Sequence, residues 1–261
     1  MGTYLDHILA AHRDAAAADT RDLAELEDAA RACPPTRGLR RALRQAPGVS
    51  VIAEIKRASP SKGPLALELD PARQAAAYEA GGAAAVSVLT DAQFFSGSAS
   101  DLVRARQACS LPVLRKDFTV SEADVFDARI MGADALLLIV AALSRVELAR
   151  LFALACGLGL DALVEVHDEG EAEVALETGA TLIGVNQRDL YSFEVDTDRA
   201  VRVAKVLPEE VVKVAESGVS GPGCLPALVE AGFDAVLVGE SLVRAPDPAA
   251  AVSALVRAGS G

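Results

Sequence analysis

Tryptophan is absent from this 261-residue chain, and three tyrosines and seven phenylalanines bring the aromatic share to only 4%. A chain so short of rings offers no stacking platform for single-stranded nucleic acid. Positive charge is also scarce: 25 lysines and arginines face 37 acidic residues, for a formal charge of −12. That balance argues against a nucleic-acid partner and against an anionic membrane surface. The longest apolar run, Ala135 to Leu143, is too short to span a bilayer. The opening Met1-Gly-Thr-Tyr-Leu-Asp6 does not read as a signal peptide, and Asp6 stands where a myristoylation signal needs Ser or Thr. The four cysteines are scattered without a CxxC pair, and the three histidines lack HxxxH spacing. We therefore expect reduced thiols, no metal site and a cytoplasmic protein. No GxGxxG joins a strand to a helix, which removes the dinucleotide-binding form of an open sheet.

Short Val/Leu/Ile runs recur along the chain, separated by amphipathic stretches of helical length. Strands are expected at Val51–Lys56, Ala85–Leu89, Pro112–Lys116, Ala135–Ile139, Ala162–Val166, Leu182–Asn186, Val211–Ala215 and Ala235–Gly239. Their alternation with helices implies parallel βα units. A glycine followed by small residues and an apolar run appears at Gly82, Gly132, Gly179 and Gly232, spaced by 50, 47 and 53 residues. Each suits the left-handed position that ends a helix before a strand. One such period holds two βα units, so four periods hold eight strands. The expected fold is an α/β protein of one domain over residues 1–261, a (β/α)8 TIM barrel. Residues 1–48 form a helical N-terminal arm of the same domain, with helices at Leu5–Ala18, Asp22–Ala32 and Leu39–Ala46. The arm should close one barrel end; we favour the active-site end over a bottom cap.

Barrel chemistry gathers at the C-terminal strand ends. The first strand ends with Glu54 and Lys56 on one face, the third with Lys116, the fifth with Glu165, the sixth with Asn186 and Arg188, and the seventh with Glu216. One such residue would pass as a solvated terminus. Five coincident strand ends point instead to a site, since buried charge is costly unless paired or functional. An ion-pair network that merely holds the rim together is the structural alternative. Ser217-Gly218 after strand seven and Gly239-Glu240 after strand eight fall where barrels often bind phosphate, with Glu240 contributing its backbone N–H. The loop Arg57–Gly63 has the composition of a mobile cover for a ligand, with an ordinary solvent-exposed loop as the alternative.

The segments Ile52–Gly63, Pro112–Phe118, Leu163–His167, Ile183–Leu190, Ala215–Val219 and Leu237–Leu242 resemble the indole-3-glycerol-phosphate synthase family of tryptophan biosynthesis, in the family's order and across nearly the whole chain. Gln187 stands where the family commonly has Asn, and strand alternation turns it away from the matched residues. The resemblance implies ring closure, decarboxylation and dehydration of 1-(2-carboxyphenylamino)-1-deoxyribulose 5-phosphate, without cofactor or metal. It implies Lys116 as general acid and Glu165 as its partner in water loss, with Glu54 assisting or orienting either one. Lys56 and Arg188 would bind substrate anions, Asn186 its hydroxyls and Ser59 the substrate from the loop; Glu216 would orient a lysine or the sugar chain. Ser217, Gly218, Gly239 and Glu240 would cradle phosphate. Phe94, Phe95 and Phe118 are candidates for an aromatic wall, with core packing as their ordinary role.

We expect a monomer whose only partner is a small phosphorylated molecule. Two rivals stay open at this point. One is another phosphate-binding barrel, such as an aldolase using Lys116 as a Schiff-base nucleophile. The other is a non-catalytic barrel that senses a phosphorylated metabolite.

Overall fold

A computed structural model of the chain describes residues 3–45, 48–189 and 194–260. Ala46, expected to end the third arm helix, and Leu190, the last residue of one matched segment, lie outside the described residues, as do both chain ends. Three helices come first: α1 (Tyr4–Ala18), α2 (Leu23–Arg31) and α3 (Leu39–Gln45). Eight strands follow: β1 (Ser50–Ile55), β2 (Ala85–Leu89), β3 (Val113–Lys116), β4 (Ala135–Ile139), β5 (Asp161–Val166), β6 (Leu182–Asn186), β7 (Val212–Glu216) and β8 (Ala235–Val238). Between and after them run α4 (Pro71–Ala80), α5 (Ala92–Phe95), α6 (Ala99–Ala108), α7 (Glu122–Ile130), α8 (Arg145–Gly157), α9 (Glu169–Glu177), α10 (Asp198–Ala204), α11 (Leu225–Glu230), α12 (Glu240–Val243) and α13 (Pro248–Gly259).

Every strand pairs in parallel with its sequence neighbour, and β8 returns to β1 with Ile52 opposite Leu237, closing the barrel. The four expected helix-ending glycines all adopt left-handed backbone, with φ of +88° at Gly82 and Gly132, +89° at Gly179 and +77° at Gly232. That conformation is nearly free only for glycine, which is why the repeat is visible in the sequence.

The strands read as unbroken apolar runs because both faces are buried. Inward residues such as Ile52, Leu114, Leu163, Val212 and Val214 fill the barrel. Outward residues such as Val51, Val86, Leu136, Val164 and Val236 pack under the helical ring. Alternation then carries the inward row up to Glu54, Lys116, Glu165, Asn186 and Glu216 at the C-terminal rim.

The arm reaches both ends of the barrel, which corrects the expectation that it closes the active-site end alone. Tyr4, Leu5 and Ile8 of α1 stand over the C-terminal rim. Helix α2 packs along α7 on the flank. Helix α3 plugs the opposite end, where Leu39 and Leu43 are fully buried against the inward-facing core. Aspartates at the strand starts hold it there. The Asp134 carboxylate accepts the Arg37 N–H at 2.7 Å and the Val113 N–H at 2.8 Å, and it also pairs with the Arg106 guanidinium. Asp161 accepts the Arg40 N–H at 2.9 Å. A basic helix is thus matched to an acidic rim.

Asp134 is fully buried. Replacing it with Ala strands two backbone donors and a guanidinium. We expect Asp134→Ala to lower unfolding free energy by roughly 3 kcal/mol, measured by urea denaturation, with KM unchanged because the site lies at the other rim.

Candidate active site

A cavity of about 660 Å³ opens at the C-terminal rim. Every residue expected from the sequence to act in catalysis or to bind substrate or phosphate lines it: Glu54, Lys56, Ser59, Lys116, Glu165, Asn186, Arg188, Glu216, Ser217, Gly218, Gly239 and Glu240. At its centre the Lys116 ammonium lies 2.7 Å from Glu165 Oε2 and 2.8 Å from Glu216 Oε2. The Lys56 ammonium lies 2.7 Å from Glu54 Oε1. Asn186 donates its amide N–H to Glu165 Oε1 at 3.0 Å and accepts the Arg188 N–H at 3.0 Å on its own oxygen. The direct partner of Glu54 is therefore Lys56, and that of Glu216 is Lys116.

Three buried carboxylates share two ammonium groups, so the cluster cannot hold every charge cheaply. Burial pushes the Lys116 amine down, but Glu165, Glu216 and Glu54 outweigh it and leave it above the ordinary lysine value. Burial alone would raise Glu165; Lys116, His167 and the Asn186 amide reverse that and hold it well below the usual carboxylate range. Glu216 goes the other way, because its burial and the nearby Glu165 and Glu54 outweigh the pull of Lys116. Within the cluster Glu216 is the carboxylate readiest to take up a proton, and Glu165 the one held more firmly ionised beside the lysine.

Two glycines make this packing possible. A Cβ on Gly184 of β6 would lie 2.0 Å from Glu216 Oε1, and one on Gly239 would lie 2.3 Å from Glu54 Oε1. Each carboxylate occupies space that any other residue would fill. Tyr78, buried under the rim, donates its hydroxyl to the Glu54 carbonyl at 3.0 Å and fixes the end of β1.

The loops after β7 and β8 form the far wall. Ser217 has φ of +61° and Gly218 +75°, two successive left-handed residues. A non-glycine residue held there is strained, and such strain gathers at functional sites. Gln187 steadies the turn: its side-chain amide donates to the Ser217 carbonyl at 2.7 Å, on the side away from Asn186 and Arg188. Across from it, Gly239 and Glu240 at the start of α12 line the cavity. Ser241 also lines the cavity, and its buried hydroxyl has no partner.

Sequence reasoning missed the apolar wall of Ile8, Leu89, Leu137 and Ile139. Apolar residues at a strand end carry no signal distinguishable from core. Of the phenylalanines, Phe95 and Phe118 line the cavity, while Phe94 packs edge-on against Tyr4 with ring centroids 6.0 Å apart. The tip of the loop after β1, Pro60 to Lys62, folds over the cavity on a two-residue ladder pairing Ala58–Ser59 with Gly63–Pro64. Helix α1 is tied down by His12, whose Nε2 lies 2.9 Å from Asp91 Oδ2, and by Arg13, which donates to the Ala142 carbonyl at 3.0 Å.

His12, Asp91 and Asp117 bring potential metal-ligating atoms within 4.8 Å of one another. Their carboxylates are already engaged: Asp91 accepts the N–H groups of Phe94 and Phe95, and Asp117 accepts from Thr90, Arg115 and the Phe118 N–H. We read the trio as the latch of α1.

Gly184→Ala tests the packing. It should displace the Glu216 carboxylate and lower turnover at least tenfold, the scale expected when a catalytic constellation shifts by about 1 Å. The circular dichroism spectrum should stay that of the native barrel.

A sequence profile of the family described as Indole-3-glycerol phosphate synthase matches residues 5–255. The indole-3-glycerol phosphate synthase of Mycobacterium avium is 53% identical, covering 99% of this chain and 95% of that protein. Proteins of the same name from Mycobacteroides abscessus and Rhodococcus jostii are each 52% identical over 99% of the chain, which spans 96% and 95% of their lengths. Among solved structures, thiamine phosphate pyrophosphorylase from Pyrococcus furiosus aligns with a TM-score of 0.62 at 16% identity, over 80% of this chain and 95% of that one, a likeness of fold alone. With a closed eight-stranded barrel, a charged rim and relatives matching from end to end, this chain belongs to the indole-3-glycerol phosphate synthase family.

Proposed function

We propose that this chain closes the indole ring of 1-(2-carboxyphenylamino)-1-deoxyribulose 5-phosphate, releasing carbon dioxide and water to leave indole-3-glycerol phosphate for tryptophan biosynthesis. The observation that carries the reading is the Lys116 ammonium held between Glu165 and Glu216 at the floor of the cavity.

Ring closure places negative charge on a ketone oxygen, and a positioned cation that donates a proton lowers that barrier. Lys116 is assigned this role because its carboxylate neighbours keep it protonated. A Schiff-base nucleophile needs the opposite shift, toward the free amine. Losing the ring carboxylate as carbon dioxide supplies the electron pair that neutralises the cationic ring system. Water loss then requires one proton taken from carbon and one given to the hydroxyl. Glu165, ionised and 2.7 Å from Lys116, suits the first task and can exchange protons with the lysine.

Lys56, oriented by Glu54, and Arg188 are assigned to the substrate anions, with Asn186 on the sugar hydroxyls. Glu216 positions Lys116. Ser59 reaches in from the loop after β1, and Ser217, Gly218, Gly239 and the Glu240 N–H receive the phosphate. The apolar wall opposite takes the anthranilate ring. We take the whole chain, arm included, as one domain working as a monomer in the cytoplasm. Support for that reading comes from the acidic surface, the unpaired thiols and the burial of Leu39 and Leu43 in the barrel. No described helix is long and apolar enough to cross a membrane.

Fluorescence of indole-3-glycerol phosphate formed from the synthetic anilino-sugar phosphate tests the activity directly; absence of product from folded protein would refute it. Lys116→Ala should abolish ring closure while substrate still binds, checked by isothermal titration alongside turnover. Glu165→Gln should leave the melting curve native-like and lower kcat roughly a hundredfold or more.

A further inference from the structure

The proposed reaction has a proton deficit that the site must meet. A substrate carboxylate leaves as carbon dioxide and a hydroxyl leaves as water, so substrate plus one proton gives product, carbon dioxide and water. One proton therefore enters from solvent on every turnover. It must reach a cluster in which Glu165 is 2% exposed and Lys116 is covered by carboxylates.

His167 stands where that proton can enter. It lies two residues beyond Glu165, on the same face at the end of β5. Its Nε2 is buried without a hydrogen-bond partner and lies 3.6 Å from Glu165 Oε1. Its Nδ1 lies 3.1 Å from Glu171 Oε2, which also accepts the His167 backbone N–H at 2.7 Å. An ionised carboxylate only accepts, so Nδ1 carries a proton and Nε2 is the position that exchanges one. His167 also lines a second, polar cavity of about 210 Å³ that Lys116 and Glu165 do not line. Asp168, Glu169 and Glu171 of the α9 turn, Asp189 after β6, and Arg199 and Arg202 of α10 surround it. Asp168 and half-exposed Arg202 open it to water. The ring bridges two compartments, the buried carboxylate and the solvent.

We propose that His167 is a positioning residue that acts through Glu165 and supplies the solvent proton consumed in each turnover. The Nε2–H bond of the imidazolium breaks and an O–H bond forms on Glu165 Oε1. The Glu165 carboxyl then passes a proton to the neutral Lys116 amine, restoring ammonium and carboxylate. The neutral ring, still carrying its Nδ1 proton, then turns its freed Nε2 from Glu165 to the side cavity, where an N–H bond forms with a proton from hydronium or buffer acid. Burial pushes the ring toward neutrality, but Glu171 and Glu165 outweigh burial and Arg199, so it keeps its proton above the usual histidine range.

The inference rests on Glu165 acting as the base, so Glu165→Gln is the control. His167→Asn retains a donor at the Nδ1 position, and thus the Glu171 contact, but carries no exchangeable charge. Its kcat should fall about tenfold or more with KM within twofold and an unchanged melting temperature. The alkaline limb of the kcat profile set by histidine ionisation should vanish. In His167→Gly, added imidazole should restore turnover, and more strongly at lower pH where imidazolium predominates. Wild-type kcat and pH profile in His167→Asn would overturn the proposal, as would a loss in His167→Gly that imidazole leaves untouched. Full turnover in Glu165→Gln would instead remove the assignment on which it rests, so the two failures are distinct.

Discussion

The charge of Lys116, shared between Glu165 and Glu216 inside a closed barrel, is the interaction on which the rest of the site depends. An isolated ammonium at this depth would shed its proton, and two isolated carboxylates would take one up. Lys116 and Glu165 are kept charged by the cluster, while Glu216 is left the readiest to take up a proton. The arrangement is poor as a source of stability, since a buried ion pair seldom offsets its own desolvation. Its value under the proposed function is chemical: a proton donor and a proton acceptor, both in their working forms, at one edge of a space shaped for an anion.

Holding such a cluster requires room as much as charge. Gly184 and Gly239 yield the volume that the Glu216 and Glu54 side chains fill. Tyr78 and Asn186 fix the backbone and side chain beside them. The same economy governs the loops. Gln187 uses its amide to hold the strained turn at Ser217, so a residue facing away from the cavity still shapes its wall. Polar residues just outside the rim thus act on the site through the backbone.

The N-terminal arm ties both ends of the barrel into one unit. Helix α1 covers the rim that carries the charged cluster, held by His12 and Arg13, while α3 seals the opposite end against the strand-start aspartates. A barrel eight strands wide has an apolar interior that must be covered at the bottom, and Leu39 and Leu43 do this. At the top, the cover has to admit a substrate, and α1 meets the cavity with only Tyr4, Leu5 and Ile8.

Much of this was legible in the sequence, because the relevant signals are local. The glycine repeat follows from backbone sterics at Gly82, Gly132, Gly179 and Gly232, and alternation within each strand decides that Glu54 and Lys56 share a face. A charged residue ending an apolar strand stands out without any knowledge of its neighbours, so Lys116, Glu165 and Glu216 were identifiable one by one. What the sequence does not contain is distance. Only closure of the barrel brings strands three, five and seven together, decides that Glu54 pairs with Lys56, and places the orphaned nitrogen of His167 beside Glu165. The apolar wall of Leu137 and Ile139 and the two-ended course of the arm were hidden for the same reason: burial is a property of what packs against a residue, and that is decided in three dimensions.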